Sequence, residues 1–245
     1  MVRPLRFVVA VFCLVFCRAL LHAQRVNPYN PDYVYREVYF EDITPVRTEQ
    51  LIGGAKGSFL YTGGVELDVH FHRRRIIHYL NPLSSAFDFF GPFVHARVDW
   101  SPEILPVCVL LSPQKTDEWG NDLSPKQKKT VFGTSINPVG YRFLWRQNKA
   151  LRPFFNGKLG GIAFTQKALA PSGAYANFTA QAIIGAEIRV NNKMDVRVAG
   201  QYFHFSNLYF AADNPGFDEA TVNFGVSYHI NHVRILHWSP DRSQP

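Results

Sequence analysis

Apolar and polar residues alternate with a period of two over much of the chain, the pattern of β-strands with two unlike faces. It is clearest from Met194 onward. Val196, Val198, Gly200 and Tyr202 share one face, while Asp195, Arg197 and Gln201 share the other. The end of this segment reverses the rule, because His204 and Ser206 fall on the otherwise apolar face. A second segment repeats the parity, with Ala220, Val222, Phe224, Val226, Tyr228 and Ile230 against Glu219, Thr221, Asn223, Ser227 and His229. Between them, LYFAADNPGF carries the Asn, Pro and Gly of a loop. Asp218 opens the second segment on the apolar side, so a His, a Ser and an Asp converge near that loop.

Further strands are predicted upstream. Residues 176–190 set Phe178, Ala180, Ala182, Ile184, Ala186 and Ile188 against Asn177, Thr179, Gln181, Glu187 and Arg189. Segments 131–146 and 152–167 precede them. Val65, Leu67, Val69 and Phe71 alternate with Glu66, Asp68, His70 and His72. The two histidines are spaced as ligands on one strand face, but no third ligand accompanies them, and a plain polar face accounts for them better. Segment 93–111 contains Pro102 and Pro106, which lack a ladder donor and predict a bend. The first strand is placed at 51–60, LIGGAKGSFL, with Tyr61–Gly64 as the first external connection. These segments make eight strands; the later connections alternate between long and short, whereas in the early part Tyr61–Gly64 is short for an external connection and the 74–92 link is long for a periplasmic one.

Composition narrows the fold class. The 245 residues are 47 % hydrophobic and 15 % aromatic, yet mean hydropathy is only −0.11. No second apolar run of about 18 residues exists, which excludes an α-helical membrane protein. Residues 1–23 read as a signal peptide, with Arg3 and Arg6 before FVVAVFCLVFC. Cys13 and Cys17 leave with it, so the remaining Cys108 has no intrachain partner and reads as a small buried hydrophobe. A lipoprotein at Cys17 is disfavoured by the bulky Phe16. Residues 24–50, with three Pro and many Tyr and charges, read as an N-terminal periplasmic extension. Residues 231–245 read as a C-terminal tail.

An exported chain of alternating strands is either a soluble β-sandwich or barrel, or an outer-membrane barrel. Glu187, Arg189, Asp195, Arg197, Gln201 and Glu219 can pair inside a small closed barrel, whereas a dry soluble core demands nearly complete compensation. The sequence therefore predicts an all-β, eight-stranded antiparallel transmembrane β-barrel over 51–230. The net charge of +7 fits scattered lumen and loop charges, and no nucleic-acid module is present. Lys126, Lys128 and Lys129 form a basic loop, read as solvated, with lipid phosphate as the alternative contact.

A serine hydroxyl becomes nucleophilic beside a base that takes its proton, and a carboxylate orients that base. By parity His204, Ser206 and Asp218 share the outer face, while Glu219 points inward and substitutes only if a bulge slips the register. Asn207, Asn214 and loop amides such as that of Gly216 are candidate oxyanion donors. No zinc spacing is present and no metal or other cofactor is required.

The run YFHFSN, followed by NPGFD and NFGVSYHI, resembles the PagL-like lipid A 3-O-deacylases, a family also labelled acyloxyacyl hydrolase related. TSINPVGYRFLW, RPFFNGKLGG and ANFTAQAIIGAEIRV are similar to its preceding strands. The resemblance spans 131–230 and extends more loosely over 51–111. It implies an eight-stranded outer-membrane barrel with a triad on its external surface. The implied reaction is hydrolysis of the ester-linked 3-hydroxyacyl chain at position 3 of lipid A, making lipid A or lipopolysaccharide the substrate. On the family's H-x-S-N, His204 is the base, Ser206 the nucleophile and Asn207 its neighbour, with Asn214 at the oxyanion site. Asp218 stands where the family commonly has Glu. Leu208 and Tyr209 replace small residues, a departure that bears on acyl preference. The alternatives are a non-enzymatic structural or adhesion barrel, an esterase or phospholipase for another lipid, and a soluble lipid carrier. A homodimer has no support in the sequence.

Overall fold

The computed structural model describes residues 36–49, 51–70, 96–146, 149–191 and 193–230. The expected signal peptide, the whole 74–92 link, His72 and the tail from 231 lie outside the described residues. Nine strands follow one another: β1 (Arg36–Glu49), β2 (Phe59–His70), β3 (Arg97–Trp100), β4 (Glu103–Pro113), β5 (Lys128–Leu144), β6 (Leu151–Phe164), β7 (Ala176–Arg189), β8 (Met194–Ser206) and β9 (Phe217–His229). All belong to one antiparallel sheet, in which sequence neighbours pair except β3 with β4, and β1 pairs with both β2 and β9. The order of pairings thus returns to its start. β3 and β4 both lie between β2 and β5. They are two halves of one position, interrupted at Ser101–Pro102, where the Pro102 carbonyl accepts the Leu67 N–H at 3.0 Å. Pro106 marks a second irregularity, a register shift between Leu105 and Cys108. The bend expected from these prolines is present.

The N-terminal boundary is corrected. Residues 36–49, assigned to an extension, form β1, and 51–58, assigned to the first strand, are the loop between β1 and β2. Part of the polarity that disguised β1 faces inward: Tyr39, Glu41 and Ile43 are buried while Phe40 and Asp42 are exposed. Pro45 is tolerated because the register shifts between Pro45 and Arg47. Tyr61–Gly64 is not a connection but lies within β2, and its glycines admit a close neighbour. A Cβ on Gly64 would lie 2.2 Å from the Ile104 carbonyl oxygen. With β1 restored, the loops at 51–58, 114–127, 165–175 and 207–216 all lie at one end, the loop end, and the turn at 190–193 lies at the other.

Polarity is inverted relative to an ordinary soluble domain. Buried inside are Glu66, Asp68, Arg97, Asp99, Glu103, Arg142, Arg152, Lys158, Glu187, Asp195 and Arg197. Arg142 reaches Asp99 at 2.7 Å, Asp68 at 3.1 Å and Glu187 at 3.2 Å. Arg152 joins Glu187 (3.1 Å) and Asp195 (2.6 Å). Lys158 pairs with Glu66 at 2.6 Å and with Glu103. Facing outward and exposed are Phe40, Ile104, Val107, Phe132, Ile136, Leu159, Ile184 and Phe224. Toward the loop end the interior turns apolar: Leu60, Leu105, Cys108, Leu110, Val131, Phe164, Phe203, Phe205 and Phe217 form a continuous cluster.

Candidate active site

The parity of β8 and β9 divides their loop ends between two environments. Phe203, Phe205 and Phe217 turn inward, with ring centroids of Phe205 and Phe217 4.9 Å apart and those of Phe164 and Phe205 5.4 Å apart. This aromatic anchor fixes the backbone on which His204, Ser206 and Asp218 face the other way. His204 and Asp218 are direct partners in the β8–β9 register. His204 Nδ1 lies 2.6 Å from Asp218 Oδ1, and the Asp218 side chain is fully buried.

The other oxygen of Asp218 is held by the backbone. Oδ2 accepts the N–H groups of Ile52 at 2.5 Å and Gly53 at 2.7 Å. These donors come from the 51–58 loop, which also pairs with the loop before β9: Gly54 N–H donates to the Pro215 carbonyl (2.5 Å) and Ala55 N–H to that of Gly216 (3.1 Å). Two glycines permit the approach. A Cβ on Gly53 would lie 2.6 Å from Phe217 N, and Gly216 has φ +64 and abuts the His204 ring. A carboxylate holding two N–H groups and an imidazole is fixed in orientation, and it directs His204 to present Nε2 outward. Ile52 and Gly53 were missed by sequence reasoning, since a Gly-Gly doublet read as part of a strand carries no sign of an anion cradle.

Ser206 completes the outer row two residues beyond His204. It is 7 % exposed, and among the described residues no hydrogen bond joins it to His204. The structure therefore couples His204 to Asp218 and leaves Ser206 nearby on the same face. Glu219 faces the interior, where Oε1 accepts the Leu60 N–H at 3.1 Å. The register does not slip, and the carboxylate beside His204 is that of Asp218, not Glu219. Asn207 is committed to the loop. Its Nδ2 donates to the Asp213 carbonyl (2.7 Å), its N–H donates to Asn214 Oδ1 (2.9 Å), and its Oδ1 accepts the Tyr209 N–H (2.9 Å). With its carbonyl end so engaged, the Asn214 amide presents NH₂ as its remaining donor group. Below His204 on the outer surface, Tyr141, Leu159 and Tyr202 rim a shallow apolar groove floored by Gly157, Ala180 and Ala182.

Elsewhere, Cys108 is buried, with Sγ 3.5 Å from the Leu105 carbonyl. Lys128 is engaged by Asp122 (2.7 Å) and the Gly57 carbonyl (2.8 Å). Glu187, Asp195 and His229 cluster closely enough to suggest a metal site, but Arg152 lies between the two carboxylates and supplies the charge a cation would.

The fold defines an all-β protein with a charged interior and an apolar exterior. The sequence profile of the family described as "Lipid A 3-O-deacylase (PagL)" matches residues 110–227, which include His204, Ser206 and Asp218. Comparison with curated proteins returns no match. Among solved structures, the outer membrane enzyme PagL is similar at 11 % identity and a TM-score of 0.47, covering 77 % of this chain and 97 % of that one. Neisserial surface protein A aligns at 7 % identity and a TM-score of 0.42, over 80 % of this chain and 96 % of the other. The N-terminal β-barrel domain of Pseudomonas aeruginosa OprF aligns at 11 % identity and a TM-score of 0.40, over 80 % and 97 %.

Proposed function

We propose that this chain is an eight-position outer-membrane β-barrel and a serine ester hydrolase that removes the 3-hydroxyacyl chain at position 3 of lipid A. The barrel reading is supported by β1 pairing with both β2 and β9 and by the inverted polarity. In water, each outward Phe or Ile forgoes about 1.5–3 kcal/mol of burial, a penalty that vanishes when the surroundings are hydrocarbon. The outer membrane is the membrane that such barrels occupy. The loop end then faces outward and places the site at the outer leaflet.

The observation that carries the catalytic reading is the His204–Asp218 contact, with Asp218 fixed by two backbone N–H groups. In the proposed mechanism, lipid A lies against the outer face with an acyl chain in the groove beside Ala180 and Ala182. Ser206 Oγ attacks the ester carbonyl as His204 Nε2 takes its proton, and Asp218 stabilises the imidazolium. The Asn214 side chain and loop amides near Gly216 receive the oxyanion. His204 returns the proton to the sugar oxygen as the acyl-enzyme forms. Water activated by His204 then releases the 3-hydroxy fatty acid.

The lack of a Ser206–His204 hydrogen bond favours a second reading, a non-enzymatic barrel in which the His–Asp pair only braces the loops. Mass spectrometry of lipid A after incubation with wild type and with Ser206→Ala separates the two. Loss of one 3-hydroxyacyl group with wild type alone is expected; unchanged lipid A with folded protein supports the brace.

A further inference from the structure

The connection leaving Ser206 is held in an uncommon conformation. Leu208 and Tyr209 have φ of 49° and 64°, two consecutive side-chain-bearing residues in the left-handed region. Asn207 clamps them there, accepting the Tyr209 N–H on its side chain and the Phe210 N–H on its carbonyl at 3.0 Å. The strained turn directs apolar side chains outward, leaving Leu208 56 % and Phe210 81 % exposed. Strain held by a dedicated clamp and spent on exposing apolar groups points to a ligand contact rather than to stability.

Its position names the contact. The Phe210 ring lies 5.8 Å from that of Phe178, and Phe178 is the cross-strand partner of Ser206. Along β7, Phe178 is followed on the same face by Ala180 and Ala182, the groove floor. The two rings therefore form a wall beside the serine, at the upper end of a surface path lined with small residues. We propose that the Phe178–Phe210 pair determines acyl specificity, giving the first carbons of a long acyl chain an apolar wall and favouring long-chain over short-chain esters. This rests on the ester-hydrolase reading.

The test uses the full chain in detergent micelles and p-nitrophenyl butyrate and decanoate, comparing kcat/KM for the two. In Phe210→Ala the decanoate-to-butyrate ratio falls about tenfold, the lower end of the contribution of a buried aromatic side chain. The fall comes mainly through KM for decanoate, with butyrate turnover retained. Phe210→Leu falls between Ala and wild type. Phe178→Ala repeats the loss, and the double variant loses no more than either single one, as expected of a wall acting as a unit. A ratio within twofold of wild type in Phe210→Ala and Phe178→Ala, with hydrolysis still dependent on Ser206, overturns the specificity role alone. Equal loss on both esters in Phe210→Ala and Phe210→Leu also overturns it, since the turn would then be structural. Wild type without Ser206-dependent hydrolysis overturns the ester-hydrolase reading and this inference together.

Discussion

His204 and Asp218 face each other across the β8–β9 ladder, with Nδ1 and Oδ1 2.6 Å apart. A carboxylate one methylene shorter than that of Glu reaches His204 here because the two residues are direct register partners. On the proposed mechanism Asp218→Asn reverses the tautomer preference of His204 and lowers ester hydrolysis on the order of a thousandfold. Glu219→Gln leaves the rate within a few-fold of wild type. Comparable losses in the two variants would show that the acid has been misassigned.

The backbone cradle gives a second prediction. Gly53→Ala forces its new Cβ against Phe217 N and Gly216 C, at 2.6 and 2.7 Å, so the loop must shift and Asp218 loses its donors. Gly54→Ala meets its nearest atom, the Pro215 carbonyl oxygen, only at 3.3 Å. Activity should fall at least about tenfold in the first variant, as for one lost charge-assisted hydrogen bond, and clearly less in the second. Steady-state hydrolysis with folding checked by circular dichroism decides it.

The outward face distinguishes lipid from water directly. Ile184 is 69 % exposed. On a water-facing surface Ile184→Arg changes stability by no more than about 0.5 kcal/mol. Facing hydrocarbon near mid-membrane, it costs about 2–4 kcal/mol. Denaturant titration of protein folded into phosphatidylcholine vesicles measures the difference, and a near-neutral result there would contradict the membrane reading.

Inside, Lys158 sits between Glu66 and Glu103, all three buried. Lys158→Met leaves two carboxylates without their shared cation and should destabilise the fold by about 3–5 kcal/mol. Restoring charge balance with Glu103→Gln in the same chain should recover part of that loss. Unfolding midpoints in the same vesicles supply the comparison.

The 114–127 loop carries a pH signature. Lys128 holds the Asp122 carboxyl below its ordinary value, chiefly through their hydrogen bond. A depressed folded-state value means the contact contributes fully above the ordinary carboxylate pKa and is lost as pH falls through the lower folded one. The Asp122 side-chain carbon, followed by NMR, should titrate at lower pH in wild type than in Lys128→Met. Coincident titrations would rule out the clasp.

Much of this fold was legible in period-two alternation, because each strand from β5 onward separates a charged inner face from an apolar outer one. His204, Ser206 and Asp218 stood out by violating that parity. What failed was local. β1 was hidden because Tyr39 and Glu41 contribute to the buried network, and in sequence their polarity resembles that of a solvated extension. The 51–58 loop was hidden because two small glycines carry no pattern, and their role is to admit backbone N–H groups to a side chain 165 residues away. Sequence reports side-chain chemistry, whereas this cradle is made of main chain.

That cradle ties the site to the joining of the first and last described strands. Asp218 belongs to the last strand, while the N–H groups that hold it follow the first. They meet only once β1 has zipped onto β9. A chain in which β8 and β9 have paired but β1 has not sets His204 opposite Asp218 without the two N–H groups that fix the carboxylate, so on the proposed mechanism the site is complete only when the seam closes.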